Sequence, residues 1–198
     1  EDEPLEADTR AESVEVLQSA RIEATRAKVE ELEGLVGGEE VRAEDLIELN
    51  RGEPDPSGSM AVIAAGTGLG EAGLCWAGAR HVAVPSEGGH ASFAPGTDRE
   101  AQLWRWLFAR YGHVSWERVV SGPGLVNIYQ FLRDSGAGEE PGWLRQQLDE
   151  QGGRARVISA AAREGSAALA VQALDLFVSL YGAEAGNLAL KFLATGGV

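Results

Sequence analysis

Met60-Ala61-Val62-Ile63-Ala64-Ala65-Gly66-Thr67-Gly68-Leu69-Gly70 is the stretch that decides the fold. A short apolar run ending in alternating glycines reads as a buried strand that enters a tight turn. Gly73–Trp76 and His81–Val84 read as two further strands, with Ala77-Gly78 turning between them. Residues 60–85 thus read as a β-meander whose first turn is glycine-rich.

Downstream the pattern is helical. Thr97-Asp98-Arg99-Glu100 has the form of a capping box and opens a helix that should bury Leu103, Trp104, Leu107, Phe108 and Tyr111, with Gly112 ending it. Gly122-Pro123 opens a second helix, whose apolar stripe is Leu125, Ile128, Tyr129 and Leu132. Leu144–Leu148 and Val157–Arg163 read as short helices. Ser166 is read as the cap of a long helix through Leu174, Phe177, Val178 and Tyr181, and a separate last helix runs from about Glu184 to Leu193. Thr195-Gly196-Gly197-Val198 reads as the start of a new strand.

Upstream, residues 1–13 are acidic and lack periodicity, so they are expected to form a tail. Ile22, Val29, Leu32 and Val36 then form a helical stripe that Gly37-Gly38 stops, and this helix offers a dimerisation element for a homodimer.

The formal charge of −14, from 17 Lys+Arg against 31 Asp+Glu, argues against a nucleic-acid partner, because nothing would neutralise the phosphate backbone. The single cysteine, Cys75, excludes an internal disulfide and any multi-cysteine zinc site. It reads as buried packing in its strand. No apolar run is expected to reach the roughly 20 residues of a membrane span. Together with the acidic N-terminus, this gives a cytoplasmic expectation with no membrane partner.

Two groups of residues carry chemistry. The Gly66, Thr67, Gly68 and Gly70 turn can bring backbone N–H groups and a hydroxyl up to a phosphate, although taken alone it also reads as a plain hairpin turn. On this reading Gly68→Ala should weaken nucleotide binding far more than sugar binding. In Pro85-Ser86-Glu87-Gly88-Gly89-His90, a carboxylate and an imidazole flank two glycines at a strand end, a pair able to bracket adjacent hydroxyls. Alone, it also reads as a loop with a solvated Glu and a structural His. Glu117 beside Arg118 reads alone as a helix-start charge.

In order, these strings and those that follow resemble bacterial glucokinases of the hexokinase-like type. The resemblance is carried by Ala65–Gly70; Ser86–His90 with Phe93-Ala94-Pro95; His113-Val114-Ser115; Ser121–Tyr129; Ala185–Leu190; and Gly196-Gly197-Val198. It covers about residues 42–198, leaving 1–41 unmatched.

The resemblance implies an α/β architecture, the α+β large domain of the two-domain actin/hexokinase-like sugar kinase fold. It implies phosphoryl transfer from MgATP to the 6-hydroxyl of glucose. Gly66, Thr67, Gly68 and Gly70 would meet the ATP phosphates, and Glu87, His90 and Glu117 would hold sugar hydroxyls. With only Cys75, the chain departs from the zinc-binding branch of related sugar kinases.

The family's Asp-x-Gly-Gly-Thr phosphate loop and its Asn-Asp catalytic pair have no counterpart in this sequence. Ungapped alignment sets Glu31 near the catalytic Asp, so Glu31 is the candidate general base. The expectation is a large domain truncated before its final strand, lacking most of the smaller domain. The rival reading is a non-catalytic sugar-binding or protein-interaction module.

Overall fold

The computed structural model describes residues 47–49, 52–150 and 152–198. The expected tail, the N-terminal helix and Glu31 lie outside the described residues.

The meander is present. Strands β1 (Met60–Ala65), β2 (Leu69–Trp76) and β3 (His81–Ser86) form an antiparallel sheet in the order β1-β2-β3. Its register sets Ile63 opposite Glu71, and Glu71 opposite Ser86. Pro85 removes a ladder donor, which an edge strand such as β3 tolerates. The C-terminal segment begins to pair with the other edge: Gly197 forms a parallel bridge to Met60, and Ala61 N–H donates to Gly197 O at 3.0 Å.

Five helices follow: α1 (Asp98–Tyr111), α2 (Gly122–Asp134), α3 (Gly142–Glu150), α4 (Arg154–Arg163) and α5 (Ala168–Phe192). Thr97 Oγ1 accepts from Glu100 N–H, and the Glu100 carboxylate reaches back to Gly96 N–H, one residue before the cap. Ser121 caps α2 by accepting from Gly124 N–H, with proline in the first turn. The core gathers Leu103, Leu107, Ile128, Leu132, Leu144, Ile158, Leu169 and Leu180, all at most 1% exposed.

Several expectations need correction. Phe108 and Tyr111 are exposed, because the apolar stripe of α1 is wider than the face it buries. Phe108 stacks on Trp104, and the Arg118 guanidinium covers the Tyr111 ring. Cys75 is exposed. It shares a sheet face with Glu71 and Gly73, but α5 ends at Phe192 over Gly73 and leaves Cys75 beyond its cover. Ser166 does not cap α5; its hydroxyl donates to Ala161 O at the end of α4.

The two expected C-terminal helices are one. Gly182 does not break α5, whose length lets Tyr181 donate to Ile63 O on the sheet. That 25-residue helix is long and apolar enough to cross a membrane by length and composition, which also corrects the hydropathy reading. It packs along α2, α4 and β1 and leaves Val178 and Leu190 exposed.

The α5–sheet interface contains charge. Glu184 is fully buried and accepts from Asn187 Nδ2 (2.7 Å) and Lys191 Nζ (2.8 Å). Glu71 is 3% exposed, and neither of its carboxyl oxygens has a hydrogen-bond partner among the described residues. Burial, then the negative charge of Glu184, push the Glu71 carboxyl up from 4.5 to about 7, against the pull of the Lys191 ammonium.

Between those values the folded chain keeps a proton that the unfolded chain has released. Stability therefore falls as pH rises through that window. Urea denaturation should show a loss on the order of 2 kcal/mol between about pH 5 and pH 8, after a discount for solvent screening. In Glu71→Gln this component should vanish.

Candidate functional site

The glycine turn is clamped at both ends. Gly66 N–H donates to Gly68 O at 2.8 Å, closing the turn between β1 and β2. Gly66 O accepts from Gly122 N–H (2.8 Å), and Leu69 N–H donates to Glu117 Oε2 (3.1 Å). The turn is thereby fixed to the segment that opens α2. Ser121 completes this junction by donating its hydroxyl to Glu117 O while accepting from Gly124 N–H.

A second junction brings Glu87 and His90 to the same place. Beyond β3, residues 88–90 form one 3-10 turn. The chain then pairs with the segment before Glu117: Trp116 N–H donates to Ala91 O (3.0 Å), and Phe93 N–H donates to Val114 O (2.9 Å). Phe93 and Trp116 are buried edge to face, with ring centroids 4.9 Å apart. Gly89 sits so close to Leu69 O that any Cβ there would collide with it.

The result sets the His90 ring between two carboxylates. Its Nε2 is 3.7 Å from Glu87 Oε2, and its Nδ1 is 4.0 Å from Glu117 Oε1. Both gaps exceed hydrogen-bond length, so neither carboxylate locks the ring. All three side chains are partly exposed, at 47%, 45% and 31% for Glu87, His90 and Glu117. Hydroxyl-rich ligands suit such a site, which offers carboxylate acceptors beside an imidazole that can donate or accept.

On the other side of the turn lies an open cleft of about 620 Å³. Gly66, Thr67, Gly122 and Pro123 line one wall; Leu148, Asp149, Gly152, Gly153, Arg154 and Ala155 line the other. The N-terminal turns of α2 and α4 both border it and present positive dipole ends, although in α2 the first N–H groups are already taken by Gly66 O and by Ser121. Gly66 is exposed, and nothing lies within 4 Å of where its Cβ would be, so a ligand can reach the backbone there.

The structure thus brings Glu87, His90 and Glu117 together and sets the Gly66–Gly70 turn between them and the cleft. The far wall was missed by sequence reasoning. Gly153, at φ +114°, needs glycine, and the Gly152-Gly153 pair before a helix was the available signal. Gly68 has no positive φ; instead its Cβ would stand 2.6 Å from Glu117 Oε2.

A family model described as Glucokinase matches residues 35–198. Curated relatives include a glucokinase of Nostoc sp., 46% identical over 78% of this chain and 49% of its own length. Another is from Saccharophagus degradans, 42% identical over 80% of this chain and 46% of its own. Among solved structures, a glucokinase from an Antarctic psychrotroph superposes with a TM-score of 0.67 at 30% identity, covering 79% of this chain and 46% of that one. A Balamuthia mandrillaris glucokinase in complex with glucose gives 0.56 at 25% identity, covering 68% and 37%. The chain spans about half the length of the curated relatives it matches. With a family model matched from residue 35 to its last residue, the chain belongs to the glucokinase family.

Proposed function

We propose that this chain is part of a glucokinase-type sugar kinase that transfers the γ-phosphoryl of MgATP to the 6-hydroxyl of glucose. The observation that carries the reading is the His90 ring flanked by Glu87 and Glu117, one turn away from a backbone-lined cleft. A phosphoryl acceptor and donor must lie side by side, and the Gly66–Gly70 turn both lines the cleft and contacts Glu117.

Glu87 and Glu117 accept from sugar hydroxyls, and His90 donates or accepts between them. The carboxylate bonds are charge-assisted, worth roughly 1.5–3 kcal/mol each. Gly66, Thr67 and the N-terminal end of α2 would hold the phosphates of ATP, with Arg154 the cation lining the opposite wall. Mg²⁺ would be carried in on the nucleotide phosphates with its own water and would supply charge neutralisation there. Catalysis in this class is mostly positioning and charge neutralisation.

Glu87→Gln should lower glucose affinity about tenfold or more in calorimetry. Thermal stability should hardly change, because Glu87 is exposed. An unchanged affinity would remove Glu87 from the sugar site.

The glycines of the turn should separate the two ligands. Gly68→Ala puts a methyl against Glu117 Oε2, so it should weaken glucose at least as much as nucleotide, the reverse of the sequence-based expectation. Gly66→Ala meets no neighbour and should weaken nucleotide alone. Titrating both ligands into both variants checks this, and equal losses for the two variants would contradict it.

Turnover by this chain should be far below that expected of a complete kinase. A positioned base is typically worth 10²–10⁴-fold, and the family's Asn-Asp pair is absent from the sequence. The check is a coupled assay with MgATP and glucose, run beside Glu31→Gln. Full turnover that collapses in the variant would make Glu31 the base. Sugar binding without any turnover would favour the binding-module reading.

A further inference from the structure

Glu71 lies in the middle of β2, between Ile63 and Ser86, with its carboxyl turned into the α5 interface. Its Oε2 occupies the space where a Cβ on Gly88 would be. Gly88 opens the turn that carries His90, and its N–H is held by Ser86 Oγ at 2.9 Å. The Glu71 carboxyl therefore sits directly beneath the sugar-side turn.

The groups facing it are known from each packed element. From α5 come Glu184, Asn187 and Lys191, together with Tyr181, whose hydroxyl is spent on Ile63 O. From β3 comes Ser86, and from the turn itself Glu87 and His90 follow. Two buried carboxylates share one ammonium, so neutrality requires one proton. Glu184 accepts from Asn187 and Lys191, whereas neither Glu71 oxygen has a partner among the described residues, so the proton belongs on Glu71.

We propose that Glu71 is a positioning residue for the Gly88–His90 turn: its protonated carboxyl supports the turn, and ionisation displaces it. The turn's geometry then follows the charge state of the α5–sheet interface. The step involves only loss of the carboxyl proton to solvent, leaving a second buried anion beside Glu184. Burying a second anion beside Glu184 is costly, so the ionised carboxyl moves toward water or toward the Lys191 ammonium, and its Oε2 leaves the place it holds against Gly88. The consequence for sugar affinity rests on the assignment of Glu87, His90 and Glu117 to the sugar pocket. The movement of the turn does not.

The test is a pH titration of the backbone amide signals of Gly88 and Gly89 by NMR on the full 198-residue chain. An inflection near neutral pH should appear in the native chain and be absent in Glu71→Gln. Glu184→Gln removes the neighbouring charge and should move the inflection to lower pH, which keeps the test decisive if one variant fails to fold. An inflection that survives Glu71→Gln but disappears in His90→Asn would overturn the proposal, as would no inflection in the native chain.

Glucose calorimetry provides the second readout. Native affinity should fall roughly fivefold between about pH 6 and pH 8, and Glu71→Gln should bind equally at both. If glucose binds at neither pH while the amide inflection behaves as stated, the sugar reading fails and the coupling stands. Equal pH dependence of glucose affinity in both chains overturns the coupling to the ligand.

Discussion

Two hydrogen bonds hold the site in place: Leu69 N–H to Glu117 Oε2, and Gly122 N–H to Gly66 O. A glycine turn has few side chains to bury, so packing cannot fix where it points. Its position must come from polar contacts at its flanks, and each of these contacts has a second use. The carboxylate that satisfies Leu69 N–H also presents its other oxygen to His90. The carbonyl that receives Gly122 N–H lies at the N-terminus of α2, where the helix dipole is strongest. Removing either contact would leave a backbone group to be satisfied by water and would release one of the two neighbouring sites.

The imidazole depends on the core in a similar way. Nothing within the turn at residues 88–90 fixes His90 beside Glu117. The short pairing of residues 91–93 with 114–116 does, and it is anchored by the buried rings of Phe93 and Trp116. Aromatic burial of this kind contributes about 0.5–1.5 kcal/mol beyond its area. The anchor therefore outweighs the entropy of a partly exposed side chain at the surface. Gly89 makes the approach to Leu69 feasible, since even a methyl would collide there. The exposed His90 is thus held by residues buried beneath it.

Much of this was legible in the sequence where the signal was local. The apolar run into Gly66–Gly70 gave a strand and a turn, Thr97 and Gly122-Pro123 marked helix starts, and Glu87 with His90 stood three positions apart on one loop. Glu117 was legible only through family resemblance, because its contacts with Leu69 and His90 span long sequence separations. The α5 helix was read as two, because Gly182 looks like a stop in one dimension. Packing on the sheet and on α4 overrides its small propensity cost. Asp149, near the end of α3, and Arg154, at the start of α4, join the cleft across a connection whose local signal was the Gly152-Gly153 pair. Glu71 was missed for a different reason: a single acid in a strand ordinarily faces solvent. The available signal was its neighbours two residues away, Leu69 and Gly73, which mark its face as the covered one.

That buried acid costs free energy, and an apolar pair of similar volume would serve the interface as well or better. What the acid touches is therefore where its charge can act. Glu184 and Lys191 lie on the last turns of α5, shortly before the segment that pairs with β1 through Gly197. Glu71 lies on the central strand and presses on Gly88. One carboxyl thus sits where the end of α5, the sheet and the Gly88–His90 turn meet. An apolar core would join these three elements with the same strength at every pH. A carboxyl poised near neutrality joins them conditionally, so a change at the α5 end can reach His90 without any element crossing the molecule.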